Sequence, residues 1–180
     1  MNELDGIADL VAERNARALR HVARRACTAV FARHGHTLRP RSAAGAGARV
    51  CGALALEGGA LRGCLLLAAP LEAFARMNPL PDVPVTDWIA ELTNQVGGRI
   101  VNALGERGVK VSRSMPVVMT RGIQPPGTGS PRVLTLAFAT AAAAADPIDL
   151  CIGADWQPGV VLDDPHRTSP LVAGDQFLLL

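Results

Sequence analysis

The residues whose types and spacing best suit chemistry lie in one stretch, residues 85–104. Glu91 and Asn94 are three positions apart, and in a helix that spacing makes their side chains neighbours on one face. A carboxylate can pair with a cation, and a side-chain amide can both donate to and accept from a water molecule. The same face would also carry Asp87, Gly98 and Asn102. We interpret Glu91 and Asn94 as a candidate functional pair, flanked by residues that could contact a partner protein.

The apolar residues of this stretch have the spacing of a helix packed on a core. At about 100° per residue, one side would carry Val85, Trp88, Ile89, Leu92, Val96, Ile100 and Ala103. Gly97 and Gly98 are unexpected in mid-helix, because each glycine costs roughly 1 kcal/mol relative to alanine. Core packing does not explain Gly98 on the polar side, so we expect it to let another backbone approach closely. The alternative is an ordinary solvated helix face that tolerates the glycine pair.

Other residue patterns that could do chemistry are weaker. The four cysteines, Cys27, Cys51, Cys64 and Cys151, contain no C-x-x-C spacing, and we interpret them as small buried hydrophobic residues rather than zinc ligands or a nucleophile. His34-Gly-His36 is typical of a helix that ends at a glycine. Residues 163–166, Asp-Asp-Pro-His, are interpreted as a polar turn rather than a metal cluster. We therefore expect no metal site, and the sequence has no Ser-His-Asp pattern or phosphate-binding loop.

Composition limits the classes of partner. Hydrophobic residues make up 49% of the 180 residues, enough for a sizeable core. The net charge of +2 and the scarcity of aromatic residues, four Phe and two Trp, argue against a nucleic-acid surface. We find no run of about 18 apolar residues that would cross a membrane. The first residues lack the order of a signal peptide, so we expect a cytoplasmic location.

The elements that would position residues 85–104 follow from periodicity and from the positions of proline and glycine. Helices are predicted at 3–34, 71–77 and 85–105, and extended segments at 50–56, 61–68, 111–120, 132–140 and 147–153. Residues 40–48 are predicted to be a linker, and 155–180 a proline-containing tail. The strands come in hairpins and the helices in blocks, which predicts an α+β fold with an antiparallel sheet packed against long helices. We thus expect one domain, 1–154, with its core at 49–154.

The sequence from Glu91 to Gly98, Glu-Leu-Thr-Asn-Gln-Val-Gly-Gly, resembles the signature of the CheC/CheX/FliY family of chemotaxis phosphatases. That signature is Glu-x-x-Asn with a glycine four positions after the Asn. The resemblance extends over about residues 45–153 and includes a Ser-x-Pro step at Ser114 to Pro116. Because the chain has one Glu-x-x-Asn, it is most similar to the single-site CheX type.

The resemblance implies a phosphatase that hydrolyses the aspartyl phosphate of a response-regulator (CheY-like) receiver domain. Asn94 would orient the attacking water, and Glu91 would pair with the receiver's lysine. The chain would need no cofactor of its own, since the receiver carries Mg²⁺, and it would form a homodimer. The alternatives are a non-catalytic adaptor and a flagellar-switch-like assembly module. A buried Asn94 that is hydrogen-bonded internally would contradict the phosphatase interpretation.

Overall fold

The computed structural model describes residues 3–42, 49–120, 133–141 and 146–162 of the chain. In chain order its elements are α1 (Glu3–Arg33), β1 (Leu38–Arg41), β2 (Val50–Glu57), β3 (Leu61–Ala69), α2 (Leu71–Met77), α3 (Val85–Gly105), β4 (Ser112–Arg113), β5 (Val117–Met119), β6 (Val133–Thr140) and β7 (Pro147–Trp156). All three predicted helices are confirmed, and the extended segment 111–120 is divided into β4 and β5. No helix in the described ranges is both long enough and apolar enough to span a bilayer.

In the part of the chain that the structure describes, seven strands form one antiparallel sheet in the order β1-β6-β7-β3-β2-β4, and β5 also pairs with β2. Helices α1 and α3 pack against each other, and both contact the sheet. The core between these layers includes the fully buried side chains of Phe31, Phe74, Phe138, Leu65, Ile89 and Leu92. The predicted α+β fold, an antiparallel sheet with long helices packed on it, is therefore confirmed.

Local sequence explains where the helices that matter for the site begin and end. Pro84, with φ −51°, directly precedes α3, and proline is favoured at a helix start because it lacks the N–H group that would be unpaired there. Helix α1 ends at Arg33, and Gly35, two residues later, has φ +82°. The Gly35 N–H donates to the Ala32 carbonyl and the His36 N–H to the Phe31 carbonyl, the Schellman arrangement. The predicted glycine end of this helix is thus confirmed.

Strand β1 was not predicted, and it replaces the first residues of the predicted linker 40–48. It pairs with β6 from Leu38 opposite Thr140 to Arg41 opposite Ala137. Only Leu38 of this strand is buried, and the strand contains Pro40 and two arginines. Such a short, polar, proline-containing segment is typical of an edge strand, which shows little of the alternation used to recognise strands. Residues 43–48 lie outside the described residues.

The last described segment is part of the packed domain. Strand β7 continues to Trp156, so the predicted start of the tail at 155 falls inside a strand. Gly153, the last residue of the predicted strand 147–153, lies opposite Cys64 in the β3–β7 ladder, and its carbonyl oxygen would be 2.0 Å from a Cβ added at Gly63. The missing side chain of Gly63 thus permits the close approach of β3 and β7 at this point, and the strand continues past Gly153. Leu162 is fully buried, and residues 163–180 lie outside the described residues.

Candidate functional site

Helix α3 has the two faces that its sequence predicts. Trp88, Ile89, Leu92, Val96 and Ile100 are buried in the core. On the opposite face Asp87, Glu91 and Asn102 are exposed, and Asn94 and Gly98 are partly exposed. The structure therefore brings all five candidate residues to one accessible helix face. Their roles in binding or catalysis remain predictions.

Two glycines set the distance between α3 and strand β2 beneath it. A Cβ added at Gly52 would lie 2.0 Å from Thr93 Oγ1, and one added at Gly97 would lie 2.5 Å from Leu54 Cδ2. Neither position has room for a larger residue unless a neighbour shifts. Gly97 is thus explained by packing against the sheet. This close packing fixes the distance between α3 and the sheet, and with it the position of the helix that carries Glu91 and Asn94.

Gly98 has a different environment, because the side chain of Arg113 lies against it. A Cβ added at Gly98 would be 3.5 Å from Arg113 Nε and 3.6 Å from Nη2, which is ordinary van der Waals distance. The expectation that Gly98 gives room to another backbone is therefore not what this structure shows. The space above Gly98 holds the guanidinium group of the chain's own Arg113.

Arg113 also donates a hydrogen bond from Nη1 to Oδ1 of Asn94. The guanidinium has donors and no acceptor, so the amide atom that faces it must be the oxygen. The Nδ2 group of Asn94 consequently points away from Arg113. Both partners are accessible, since Arg113 is exposed and Asn94 is partly exposed. Asn94 is thus hydrogen-bonded within the chain but not buried, which meets only half of the condition that would contradict a phosphatase.

Arg113 lies directly before an irregularity at the edge of the sheet. Arg113 pairs with Leu56, whereas Val117 pairs with Ala53, so two residues of β2 lie opposite three residues at positions 114–116. This is a β-bulge, and Ser114 stabilises it by accepting a hydrogen bond from the Ala55 N–H at 2.9 Å. Residues directly opposite each other share a sheet face, so Arg113 points to the helix side, as Leu56 does.

A second set of contacts holds Glu91. Gln95 Nε2 donates to Glu91 Oε1 at 2.7 Å, and Gln95 Oε1 lies 3.0 Å from His34 Nε2. Because the Gln95 oxygen can only accept, His34 carries its proton on Nε2 here. The His34 ring also contacts Trp88 edge-on, with 4.7 Å between ring centroids. Glu91 is therefore linked through Gln95 to the end of α1.

Sequence reasoning missed Gln95 and Arg113. Gln95 could have been found, because a residue four positions after Glu91 lies one turn further along the same helix. Arg113 has no such local signal. Its proximity to Asn94 depends on the register between β2 and β4, which tertiary packing decides.

Thiol chemistry is not favoured at the buried cysteines. Burial raises the pKa of the Cys27 thiol to about 12, and burial and the neighbouring Cys151 raise the pKa of the Cys51 thiol to about 11. Burial also raises the pKa of Cys151. A raised pKa leaves little reactive thiolate near neutral pH. Cys64 is exposed, so the prediction that all four cysteines are buried is wrong for this residue, which lies on β3 with its neighbour Leu65 turned to the core.

Within the described ranges no group of three or more His, Cys, Asp and Glu side chains converges in a way that could hold a metal ion. His34 and His36 have separate partners, since His36 Nε2 lies 3.2 Å from the Met77 carbonyl oxygen. The candidate cluster at 163–166 lies outside the described residues. The chemistry at the centre of this accessible face is therefore that of the Asn94 amide, the Glu91 carboxylate and the Arg113 guanidinium, with Asp87 and Asn102 on either side.

The fold is similar to that of several solved structures. The chemotaxis protein CheX from Vibrio vulnificus matches with a TM-score of 0.60 and 22% identity, over 75% of this chain and 95% of that one. CheX of the CheX–CheY–BeF₃–Mg²⁺ complex from Borrelia burgdorferi matches with a TM-score of 0.56 and 16% identity, over 74% and 96%. FliY from Thermotoga maritima matches with a TM-score of 0.50 and 14% identity, over 84% and 90%.

No protein-family model matches the sequence, and a comparison with curated protein sequences finds no match. The similarity is thus one of three-dimensional structure. It covers nearly the whole length of the CheX chains. The chain therefore has the fold shared by the CheX, CheC-like and FliY structures, and the resemblance to the CheC/CheX/FliY family seen in its sequence is confirmed at the level of the fold.

Proposed function

We propose that this protein is a phosphatase that hydrolyses the aspartyl phosphate of a CheY-like response-regulator receiver domain. The observation that carries the proposal is the placement of Glu91 and Asn94 together on the accessible face of α3, in a chain with the CheX fold. In the Borrelia structure a CheX protein is bound to CheY with BeF₃ and Mg²⁺. By analogy, the polar face of α3 would dock against the phosphorylated site of a receiver.

The reaction is the attack of water on the phosphorus of an acyl phosphate. The water oxygen forms a bond to phosphorus, the bond from phosphorus to the aspartate oxygen breaks, and a carboxylate and inorganic phosphate are released. The receiver would supply Mg²⁺ to neutralise the charge on the phosphoryl oxygens. What this chain must add is the position of the water, and holding two reactants in line is a large part of such catalysis.

Asn94 is suited to that role because its amide offers both kinds of hydrogen bond. Its Nδ2 group can donate, and Oδ1 has a second lone pair beside the one that Arg113 occupies. The chemistry needs no basic residue on this chain. Asn94 would therefore act as a positioning group for the water and not as a proton acceptor.

Glu91 would anchor the complex by pairing with the lysine of the receiver. It is exposed and three positions from Asn94, so a cation that reaches Glu91 would lie within one helix turn of the amide. Asp87, Gly98 and Asn102 would form the rest of the docking face. An exposed ion pair between Glu91 and the receiver lysine would affect association and specificity more than the chemical step.

The test is loss of phosphate from receiver domains of the host, labelled with acetyl phosphate in the presence of Mg²⁺. We expect the native protein to accelerate loss from at least one receiver, and Asn94→Ala to remove that acceleration. A fall of about a hundredfold or more is the size expected when a positioning group is lost. Arg39→Ala, an exposed arginine on edge strand β1, is the control and should keep full activity. Full activity in Asn94→Ala would refute the proposal.

A non-catalytic adaptor, or a flagellar-switch-like assembly module, is the second candidate. The observation that favours it is the Arg113 contact, which takes one of the two acceptor positions of Asn94 Oδ1. In either case a receiver or another signalling partner would bind the α3 face without faster loss of phosphate. We further propose that the protein acts in the cytoplasm and that it forms a homodimer. Sedimentation velocity at several concentrations would test the homodimer.

A further inference from the structure

We infer that Arg113 is a positioning residue for Asn94, so that the functional unit is an arginine–asparagine pair. The inference rests on the proposed function and extends it to a residue outside the Glu-x-x-Asn motif. It starts from the hydrogen bond between Arg113 Nη1 and Asn94 Oδ1. A free Asn side chain rotates between orientations in which the oxygen and nitrogen exchange places. A partner that can only donate removes that freedom.

The structure holds Arg113 in a way that suits this role. Its guanidinium lies along the surface of α3 over Gly98, with Nε and Nη2 at van der Waals distance from the position of a Cβ. Its backbone is fixed opposite Leu56, and the bulge that follows is closed by the Ser114 side chain. The guanidinium thus lies against the surface of α3 at Gly98, and the backbone of Arg113 is held by its pairing with β2. Such support limits the conformations from which Arg113 reaches Asn94.

The consequence for the reaction is the direction in which the amide faces. With Oδ1 turned to Arg113, the Nδ2 group faces away from it, where a docked phosphoryl group and its water would lie. The second lone pair of Oδ1 remains able to accept a hydrogen bond from that water. A single orientation set before docking saves the entropy of fixing the amide in the transition state. Loss of Arg113 should therefore lower kcat more than it raises KM for the receiver.

Two variants with unbranched side chains test this. Arg113→Met keeps an unbranched stem that can cover Gly98 but has no donor, and Arg113→Lys keeps one donor and the charge. With a receiver that the native protein dephosphorylates, we expect Arg113→Met to lower kcat by about fivefold or more, within the range that a misplaced group costs. KM should change little, and Arg113→Lys should restore most of kcat. Arg39→Ala is the control, since this exposed arginine lies at the opposite edge of the sheet.

Three kinetic results would overturn the inference. If Arg113→Met raises KM with kcat unchanged, Arg113 is only a docking charge. If Arg113→Met is faster than the native protein, the contact blocks Asn94 and must open for catalysis. If both constants are unchanged, the contact has no role in the reaction. Equal melting temperatures of the variants, measured in parallel, show that the comparison is between folded proteins.

A second measurement does not depend on activity. The ¹⁵N relaxation of the Asn94 side-chain NH₂ group reports whether the amide is fixed on the picosecond-to-nanosecond timescale. We expect a rigid group in the native protein and in Arg113→Lys, and a mobile one in Arg113→Met. An equally rigid amide in Arg113→Met would overturn the inference. If no receiver is dephosphorylated, the proposed function fails while this measurement still decides whether Arg113 orients Asn94.

Discussion

Glu91 is not a free carboxylate, because Gln95 Nε2 donates to it at 2.7 Å and is itself held next to His34. We expect Gln95→Ala to release Glu91 into several rotamers and to weaken receiver binding. Fixing one such side chain on binding costs about 0.5–1.5 kcal/mol, which corresponds to roughly a two- to tenfold rise in Kd. The measurement is the Kd for a BeF₃-loaded receiver with Mg²⁺, by calorimetry or fluorescence anisotropy.

The matched variant for this prediction is Glu91→Gln, which removes the charge and leaves a side chain that can still contact Gln95. If Glu91 pairs with a receiver lysine, this variant should raise Kd more than Gln95→Ala does, because a charge is then left without its partner. An unchanged Kd in Glu91→Gln would show that the carboxylate does not anchor the complex. Tighter binding in Gln95→Ala would show that Gln95 competes with the receiver for Glu91.

The sequence predicted the part of the site that lies on one helix. Helical spacing placed Glu91 and Asn94 side by side, and the apolar residues of the opposite face defined which way they point. Arg113 could not be predicted in the same way, because it lies on another element. A register without the extra residue at 114–116 would still align Arg113 with Leu56, but it would turn Val117 and Val118 to the wrong faces.

At the scale of the element, the two adjacent glycines of α3 have different surroundings and different structural roles. Gly97 faces Leu54 of the sheet, and Gly98 faces the guanidinium of Arg113. Periodicity placed Gly98 on the polar face but could not show what covers it. Strand β1 could not be predicted from the sequence, because Leu38 is its only buried residue. An alternating pattern is recognised only when several buried residues recur.

The two glycines make a matched pair for measuring stability. Gly98→Ala should stabilise the protein by about 0.5–1 kcal/mol, since its Cβ would be in ordinary contact and alanine is the better helix former. Gly97→Ala places a Cβ 2.5 Å from Leu54 Cδ2, so Leu54 must shift within a packed core. Overpacking of this kind costs about 1–3 kcal/mol, which exceeds the gain in helix propensity.

Urea unfolding at equilibrium gives both free energies from the same experiment. Opposite signs for Gly98→Ala and Gly97→Ala are expected, and a shared sign would contradict the placement of the helix on the sheet. The stabilised variant also tests the docking face. If another backbone must approach Gly98 when a receiver docks, Gly98→Ala will weaken receiver binding although the protein is more stable.

At the scale of the whole molecule, local patterns gave the hairpins but not the order of the strands. The pairs β2–β3 and β6–β7 connect neighbours in the chain, and hairpin connections favour them. The centre of the sheet is the pair β3–β7, in which Leu66 lies opposite Cys151. Nothing local to either strand specifies that partner, since many apolar strands would fit. Burial of the complete set of apolar faces selects the order.

Asn15 is the clearest case of a residue whose role appears only in the whole molecule. It lies within α1, where asparagine is a poor helix former, and it is fully buried. Its Nδ2 group donates to the Val160 carbonyl at 2.8 Å, and its Oδ1 accepts from the Leu162 N–H at 2.8 Å. One side chain thus fastens the segment that follows β7 to the first helix. Its partners are 145 and 147 positions away, beyond any sequence pattern.

We expect Asn15→Ala to lower the free energy of unfolding by roughly 2–4 kcal/mol, because two buried backbone groups would lose their partner. Arg17→Ala on the same helix is the control, and it should change stability little, since its ion pair with Glu13 is exposed. Urea unfolding measures both variants. Native-state hydrogen exchange should show faster exchange at Leu162 in Asn15→Ala than expected from the global loss alone. Native stability in Asn15→Ala would mean that Leu162 and its neighbours are held by apolar packing without the hydrogen bonds.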